Sequence, residues 1–299
     1  MKFPLTFKEI VHELVCLTSL PREEVEYRVW MEALDPGWNV LQDVARFGVT
    51  PHKYDEKMLQ LYHDGDSFIF ETLVFWLKPK RRRWTQYALE RIRSYAERSN
   101  IDMCDISILI FGDGTGSDSL FLADKGLKIN YYDIPGSKTF DFALKRFDYY
   151  NMLGQHIKPI NDYRACLTRQ YDVVISFEVL EHLQQPLQAI RDISSMLKYG
   201  GISLITDDFG NIANSFPTHL EINSTLHGKT PFLFLDSSMV LSWYSRDELF
   251  KPFEFIKLKE VSTKHWLSLF RDYNIRKPFL SKNSSILLRS VGKLPYIGY

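Results

Sequence analysis

The sequence predicts an α/β protein in which a doubly wound, seven-stranded, mostly parallel sheet follows an N-terminal helical cap. Three observations carry this reading. The first hundred residues repeat apolar side chains at helical spacing. From about Ile106 short apolar runs alternate with amphipathic segments of crossover length. The first of those runs ends in glycines at alternate positions, ILIFGDGTGSDS over 108–119. The boundary falls near residue 100, giving a helical cap and substrate region over 1–100 and a sheet domain over 101–299.

In the cap, Thr6 and Glu9 form a T-x-x-E capping box, and Phe7, Ile10, Val11, Leu14 and Val15 then mark one face of a helix ending near Ser19. Pro21 suits the first turn of a second helix, which carries Val25 and Val29 and stops at Asp35, Pro36 and Gly37. Further helices are expected over 38–47, 55–62, 66–77 and 84–98. The stretch DGDSFIFETLVFWLKPKRRRW, 64–84, is apolar on nearly all sides and then abruptly cationic, which reads as a buried helix followed by a solvated helix start.

In the sheet domain the apolar runs are ISILIF (106–111), LKINYY (127–132), HIKPI (156–160), YDVVIS (171–176), GISLIT (201–206), FIKLKEV (255–261) and SILLRSV (285–291). Seven strands result, with SDSLFLADKG, KTFDFALKRFDYY and PLQAIRDISSMLKYG as crossover helices.

Composition narrows the function. A hydrophobic content of 45% over 299 residues supplies an ample core. Lysine plus arginine equals aspartate plus glutamate at 37 each, so the basic excess of a nucleic-acid binder is missing and no nucleic-acid partner is expected. Cys16, Cys104 and Cys166 form no CxxC pair, which argues against a disulfide framework or a zinc site and fits a reducing cytoplasm. The strongest apolar run, Phe68 to Leu77, is too short to span a bilayer and contains Glu71, so no transmembrane segment is expected.

A strand, a tight glycine turn and a helix make the first βα unit of a nucleotide-binding fold. Gly112, Gly114 and Gly116 give G-x-G-x-G; the dinucleotide pattern G-x-G-x-x-G would need glycine where Ser117 stands. Asp133 closes the second strand twenty-one positions after Gly112, placed to accept both hydroxyls of a ribose. Glycines and acid together select an adenosine-type ligand.

With these motifs the chain resembles the class I S-adenosylmethionine-dependent methyltransferases over roughly 106–206. The block YDVVISFEVLEHLQQPLQAIRDISSMLKYGGISLIT, 171–206, is similar to that family's fourth strand, loop, helix and fifth strand in order and spacing. The resemblance implies a Rossmann-like catalytic domain with S-adenosyl-L-methionine as cofactor. By it, Gly112, Gly114 and Gly116 line the methionine and ribose portion, Asp133 holds the ribose hydroxyls, and Ile134 packs on the adenine. Phe177 and Glu178 border the methionine end. Asp162, in NDY, stands where the family often accepts the adenine amino group, with a turn aspartate as the competing reading. Where the family commonly has an acid two places before the first glycine this chain has Ile110, and Asp113 is the residue expected to recover that contact with the cofactor's ammonium group.

Methyl transfer needs an acceptor atom aligned with an already activated methyl group, and an alcohol or phenol also needs somewhere to put its proton. Segments at the carboxyl ends of the strands supply the candidates: His182, Asp207, Asp208 and His219. Glu178, Glu181 and His182 form E-x-x-E-H, similar to the segment of some quinone-precursor O-methyltransferases that contacts a divalent ion. Two carboxylates and one imidazole are too few to define a site, so no metal is expected. The expected acceptor is a small molecule or glycan intermediate, methylated at oxygen. FEVLEH stands where amino-group enzymes carry an N/D-P-P-Y/F loop. The alternative is a non-catalytic cofactor-binding or scaffold protein that kept the fold, and a nicotinamide-dependent oxidoreductase ranks last because G-x-G-x-x-G is missing.

Overall fold

The computed structural model describes residues 6–245 and 251–276. Six helices precede the sheet: α1 (Phe7–Leu17), α2 (Arg22–Leu34), α3 (Trp38–Phe47), α4 (Glu56–Asp64), α5 (Ser67–Leu77) and α6 (Pro79–Ser99). Their boundaries follow local chemistry. The Thr6–Glu9 capping box closes at both bonds, the Asp55 side chain accepts from Met58 N–H, and Gly37 and Gly48 take left-handed conformations on either side of α3.

The sheet domain runs β1 (Ile108–Phe111), α7 (Ser117–Ala123), β2 (Ile129–Tyr132), α8 (Lys138–Tyr149), β3 (Ile157–Pro159), α9 (Tyr163–Leu167), β4 (Tyr171–Phe177), α10 (Pro186–Met196) and β5 (Leu197–Thr206). It continues with α11 (Thr230–Asp236), β6 (Met239–Tyr244), β7 (Phe253–Lys257) and α12 (Thr263–Arg276). The strand order is β3-β2-β1-β4-β5-β7-β6, with β1 to β5 parallel and β7 antiparallel to both β5 and β6. Every residue of β1 and β4 is buried, as expected of central strands covered on both faces.

The membership of the seven strands differs from the expected one. β6, MVLSWY, carries only one fully buried residue and sits at the sheet edge, so its pattern is too weak to stand out. The expected strand at 285–291 lies outside the described residues. The helix starting the cationic run begins at Pro79, earlier than expected, and Arg81 is buried within it.

The helical cap is tied to the sheet domain by a buried ion pair. Arg146 on α8 meets Glu13 on α1, and the two are 0% and 1% exposed. Arg146 Nη1 also donates to Thr115 O at 2.6 Å and to Ser117 Oγ at 3.0 Å, both beside the glycine turn. Tyr150 adds a hydroxyl to the other Glu13 oxygen at 2.7 Å. Glu13→Ala would leave a guanidinium enclosed without its counter-charge, and is expected to cost about 3–5 kcal/mol in a urea unfolding titration; a loss under 1 kcal/mol would show that the pair does not anchor the cap.

Candidate functional site

One cavity of about 1450 Å³ opens at the carboxyl ends of β1, β2, β4 and β5 and is roofed by the N-terminal helices. Its floor is the glycine turn. Gly112, Gly114 and Gly116 have φ of 80°, 56° and 76°, a region that favours glycine. The reason for the missing side chain differs along the turn. A Cβ at Gly112 would come within 2.5 Å of Val179 in the loop after β4, and one at Gly116 would run into the Phe147 ring on α8. Gly114 borders the cavity, with Thr72 of α5 the nearest neighbour at 3.3 Å from a built Cβ. Gly116, expected to line the cofactor, instead lies off the cavity as the N-cap of α7.

Asp133 reaches the cavity from the end of β2. Its Oδ2 accepts from Gly114 N–H at 2.6 Å and its Oδ1 from Ile134 N–H at 2.8 Å, so three expected cofactor residues are tied together. Burial pushes its carboxyl up, against the two amide bonds. Ile134 is 38% exposed at the cavity edge, and Tyr132, Tyr163 and Phe111 form an aromatic group beside it. Sequence reasoning missed that group, whose members lie on three separate elements.

Two other expected residues take different work. Asp162 is off the cavity and caps α9, its carboxylate accepting from Arg164 N–H at 3.1 Å, so the turn-aspartate reading describes its place. Asp113 lines the cavity, but its oxygens turn back to the start of α7, accepting from Asp118 N–H at 3.1 Å and from Ser119 N–H at 2.7 Å and Oγ–H at 2.6 Å. Both of its oxygens, expected to meet a ligand ammonium, are thus engaged by the start of α7.

Across the floor, Phe177 ends β4 and Glu178 follows it with φ 54°. Lys251 lies 3.4 Å from Glu178 and 3.8 Å from Asp208, and all three line the cavity. Burial works to lower the lysine, but Glu178, Asp207 and Asp208 outweigh it and hold it above its usual range. Asp207, expected among the catalytic residues, lies off the cavity, buried and bonded to Thr230 Oγ1 at 2.8 Å, while Asp208 lines the cavity.

His182 and His219 both line the cavity, their rings edge to face with centroids 4.8 Å apart. His182 Nδ1 lies 3.1 Å from Thr218 O and His219 Nδ1 lies 2.9 Å from Asn211 O. A carbonyl oxygen can only accept, so each Nδ1 carries the proton and each Nε2 keeps a lone pair. Burial lowers His182 to about 4, and burial together with the His182 ring lowers His219 to about 4, so both are neutral at pH 7. Tyr62 places its hydroxyl 3.1 Å from His182 Nδ1 and stacks on Phe68 at 5.0 Å.

Glu181, His182 and His219 bring ligand atoms within 4.8 Å of one another. Both oxygens of the fully buried Glu181 are without a hydrogen-bond partner, and burial raises its carboxyl well above the usual range. The three groups come together as a candidate cation site, which sequence spacing could not show because the second imidazole arrives from a distant loop, but a carboxyl kept neutral by burial is a poor ligand for a cation.

The family model described as a methyltransferase domain matches residues 76–272. No curated protein matches the sequence. Among solved structures the chain is similar to the cyclase SpnF, with 18% identity over 54% of this chain and 60% of that one and a TM-score of 0.39; the match thus spans less than two thirds of the cyclase's length. It is similar to magnesium protoporphyrin IX methyltransferase of Synechocystis with bound S-adenosylmethionine, at 16% identity over 74% and 97% and a TM-score of 0.43. An O-methyltransferase family protein from Burkholderia thailandensis gives 14% identity over 78% and 72% and a TM-score of 0.47.

Gly112→Ala forces a methyl group against Val179 at a φ of 80°. It should lower stability by about 1–3 kcal/mol in thermal unfolding; a melting temperature equal to wild type would show that the loop after β4 can yield.

Proposed function

This chain belongs to the methyltransferase domain family, and from that premise we propose that it methylates an oxygen of a small molecule or saccharide-linked intermediate held under the N-terminal helices. Its cofactor is S-adenosylmethionine. The observation that supports the reading most is the continuity of the cavity, which runs from the glycine turn and Asp133 to two neutral imidazoles. The residues present fit the cofactor: bare main chain at Gly114, a carboxylate at Asp133, and an apolar edge at Ile134 beside Tyr132 and Tyr163. In this reading Asp133 takes the ribose hydroxyls and Ile134 the adenine. Phe177 and Glu178 border the methionine end, with Lys251 fixing the Glu178 carboxylate.

When bound, the cofactor supplies a methyl group on a sulfonium leaving group, so the protein's main task is alignment. Residues 1–100 supply the acceptor wall, with Tyr54, Tyr62 and Phe68 facing the two histidines, and the sheet domain supplies the cofactor floor. Attack by a neutral hydroxyl makes its oxygen a far stronger acid than an imidazolium. An imidazole of low basicity is therefore sufficient to take the proton on Nε2, while Nδ1–H stays on the carbonyl of Thr218 or Asn211 and steadies the cation formed. Asp208, beside Lys251, adds a compensating negative charge. The balanced overall charge favours a small acceptor over nucleic acid.

Incubation with methyl-labelled S-adenosylmethionine and metabolite fractions should yield a labelled product and S-adenosylhomocysteine; binding without label transfer would leave a scaffold role instead. Asp133→Ala should weaken cofactor binding at least about tenfold in calorimetry, and near-native affinity would remove its assigned role. His182→Ala or His219→Ala should lower turnover about 100-fold with cofactor affinity kept; unchanged rates in both would discard the base. With both imidazoles protonating only near pH 4, turnover should stay level from about pH 8 to 6 and fall as pH approaches 4, whereas a base with the ordinary value would already fade near 6.5. Chelation should leave the rate intact, and a loss restored by a divalent ion would reassign the histidines as ligands.

A further inference from the structure

We infer that Glu71, on α5, is the anionic partner of the ammonium group at the amino-acid end of S-adenosylmethionine. The inference rests on the cofactor assignment above and adds a residue from outside the glycine turn. It begins with the carboxylates that line the cavity. Asp133 is engaged by two backbone amides, and Asp113 by the start of α7. Glu32 accepts from Gly37 and Asn39, and Asp192 from Tyr163 and Gln188. Glu178 and Asp208 face Lys251. Glu71 has no hydrogen bond or ion pair among the described residues, although it faces the same cavity.

Its position fits the role. The next residue, Thr72, bonds Thr115 Oγ1 at 3.0 Å and is the nearest neighbour of the bare face of Gly114, so this turn of α5 lies directly on the glycine turn. From there Glu71 is within electrostatic reach of Glu178 on the far side of the floor, of Glu32 from α2 and of Lys78 before α6. Burial first, and Glu32 next, push its carboxyl up to about 7. An unpaired carboxyl held there by burial and like charge gains most from an arriving cation.

Two cationic centres are offered by the cofactor, and catalysis separates them. A carboxylate against the sulfonium would stabilise a charge that disappears as the methyl group leaves, which favours the ground state over the transition state. The ammonium keeps its charge throughout, so pairing there contributes binding without slowing the reaction.

The test is calorimetric and needs no acceptor. Glu71→Gln keeps the shape of a side chain that holds no partner among the described residues, so the fold should be unaffected. The dissociation constants for S-adenosylmethionine and S-adenosylhomocysteine, which share the ammonium group, should both rise about tenfold, ~1.4 kcal/mol. Affinity for methylthioadenosine, which lacks the amino-acid end, should not change. The inference is overturned if all three affinities are unchanged, if only the sulfonium compound weakens, or if methylthioadenosine weakens as much as the others. Wild-type protein that binds none of the three would overturn the cofactor assignment itself.

Discussion

Asp118, on the first turn of α7, is where the N-terminal helices and the glycine turn become one body. The residue is 2% exposed and accepts from Arg81 Nη1 at 3.1 Å, from Arg81 Nη2, from Thr85 Oγ1 and from Trp76 Nε1 at 3.2 Å. Burial alone would push the carboxyl up; Arg81 outweighs it and holds Asp118 below the ordinary carboxylate range. A buried pair of this kind repays its desolvation only when every lone pair and N–H is used, and here the donors come from α5 and α6 while the acceptor belongs to α7. Removing either side would leave an enclosed charge. The register of α5 over the glycine turn is therefore set by hydrogen bonding as well as by apolar contact.

That register decides the shape of the cavity. With Trp76 fixed on Asp118, one turn earlier on α5 Thr72 must lie on Gly114 and Thr115, and one turn earlier again Phe68 stacks on Tyr62. The same helix thus presents a hydroxyl to the glycine turn and an aromatic ring to Tyr62 at another part of the cavity. Arg81 carries its guanidinium over Trp84 and Phe177, 5.4 and 5.5 Å from the ring centroids, so the cationic run is spent partly on packing at the end of β4. Lys78 and Lys80 also line the cavity, so part of a run that reads as a solvated helix start ends up at its wall.

The parts of this molecule that are legible in the sequence are those whose physics is local. Helix boundaries at Thr6, Asp55 and Gly37 are set by capping chemistry within a few residues, and the buried parallel strands declare themselves as unbroken apolar runs. The glycine turn and Asp133 are legible because a positive φ and a strand-end carboxylate leave a fixed spacing. Legibility fails where a residue's role depends on direction. Asp113 and Asp133 are both acids near glycines, yet one is bonded to a helix start and the other to the main chain of the glycine turn and of Ile134. Asp207 and Asp208 are neighbours just past the end of β5, yet one is buried against Thr230 and the other lines the cavity. Glu71 sits in the most apolar stretch of the chain, where a lone carboxylate reads as an interruption and its cavity-facing position becomes visible only in three dimensions.

The histidine side of the cavity shows the same limit, since its precision comes from main chain. His219 is carried on a loop whose backbone is fastened to the turn between α3 and α4 and to the segment after β4: His52 N–H donates to Pro217 O at 2.7 Å, His52 Nδ1 to His219 O at 2.9 Å, and Leu220 N–H to Glu181 O at 3.1 Å. Asn223 closes the arrangement by donating to Glu181 O at 3.0 Å and Leu183 O at 2.8 Å. The carbonyls of Thr218 and Asn211 then choose the tautomer of both imidazoles, so the loop after β5 fixes the position and the proton state of His182 and His219 together. Groups held this way have their position and orientation set by the fold itself. Because backbone carbonyls are present at every residue, no side-chain pattern could advertise the arrangement; it emerges from the path of the chain across the cavity.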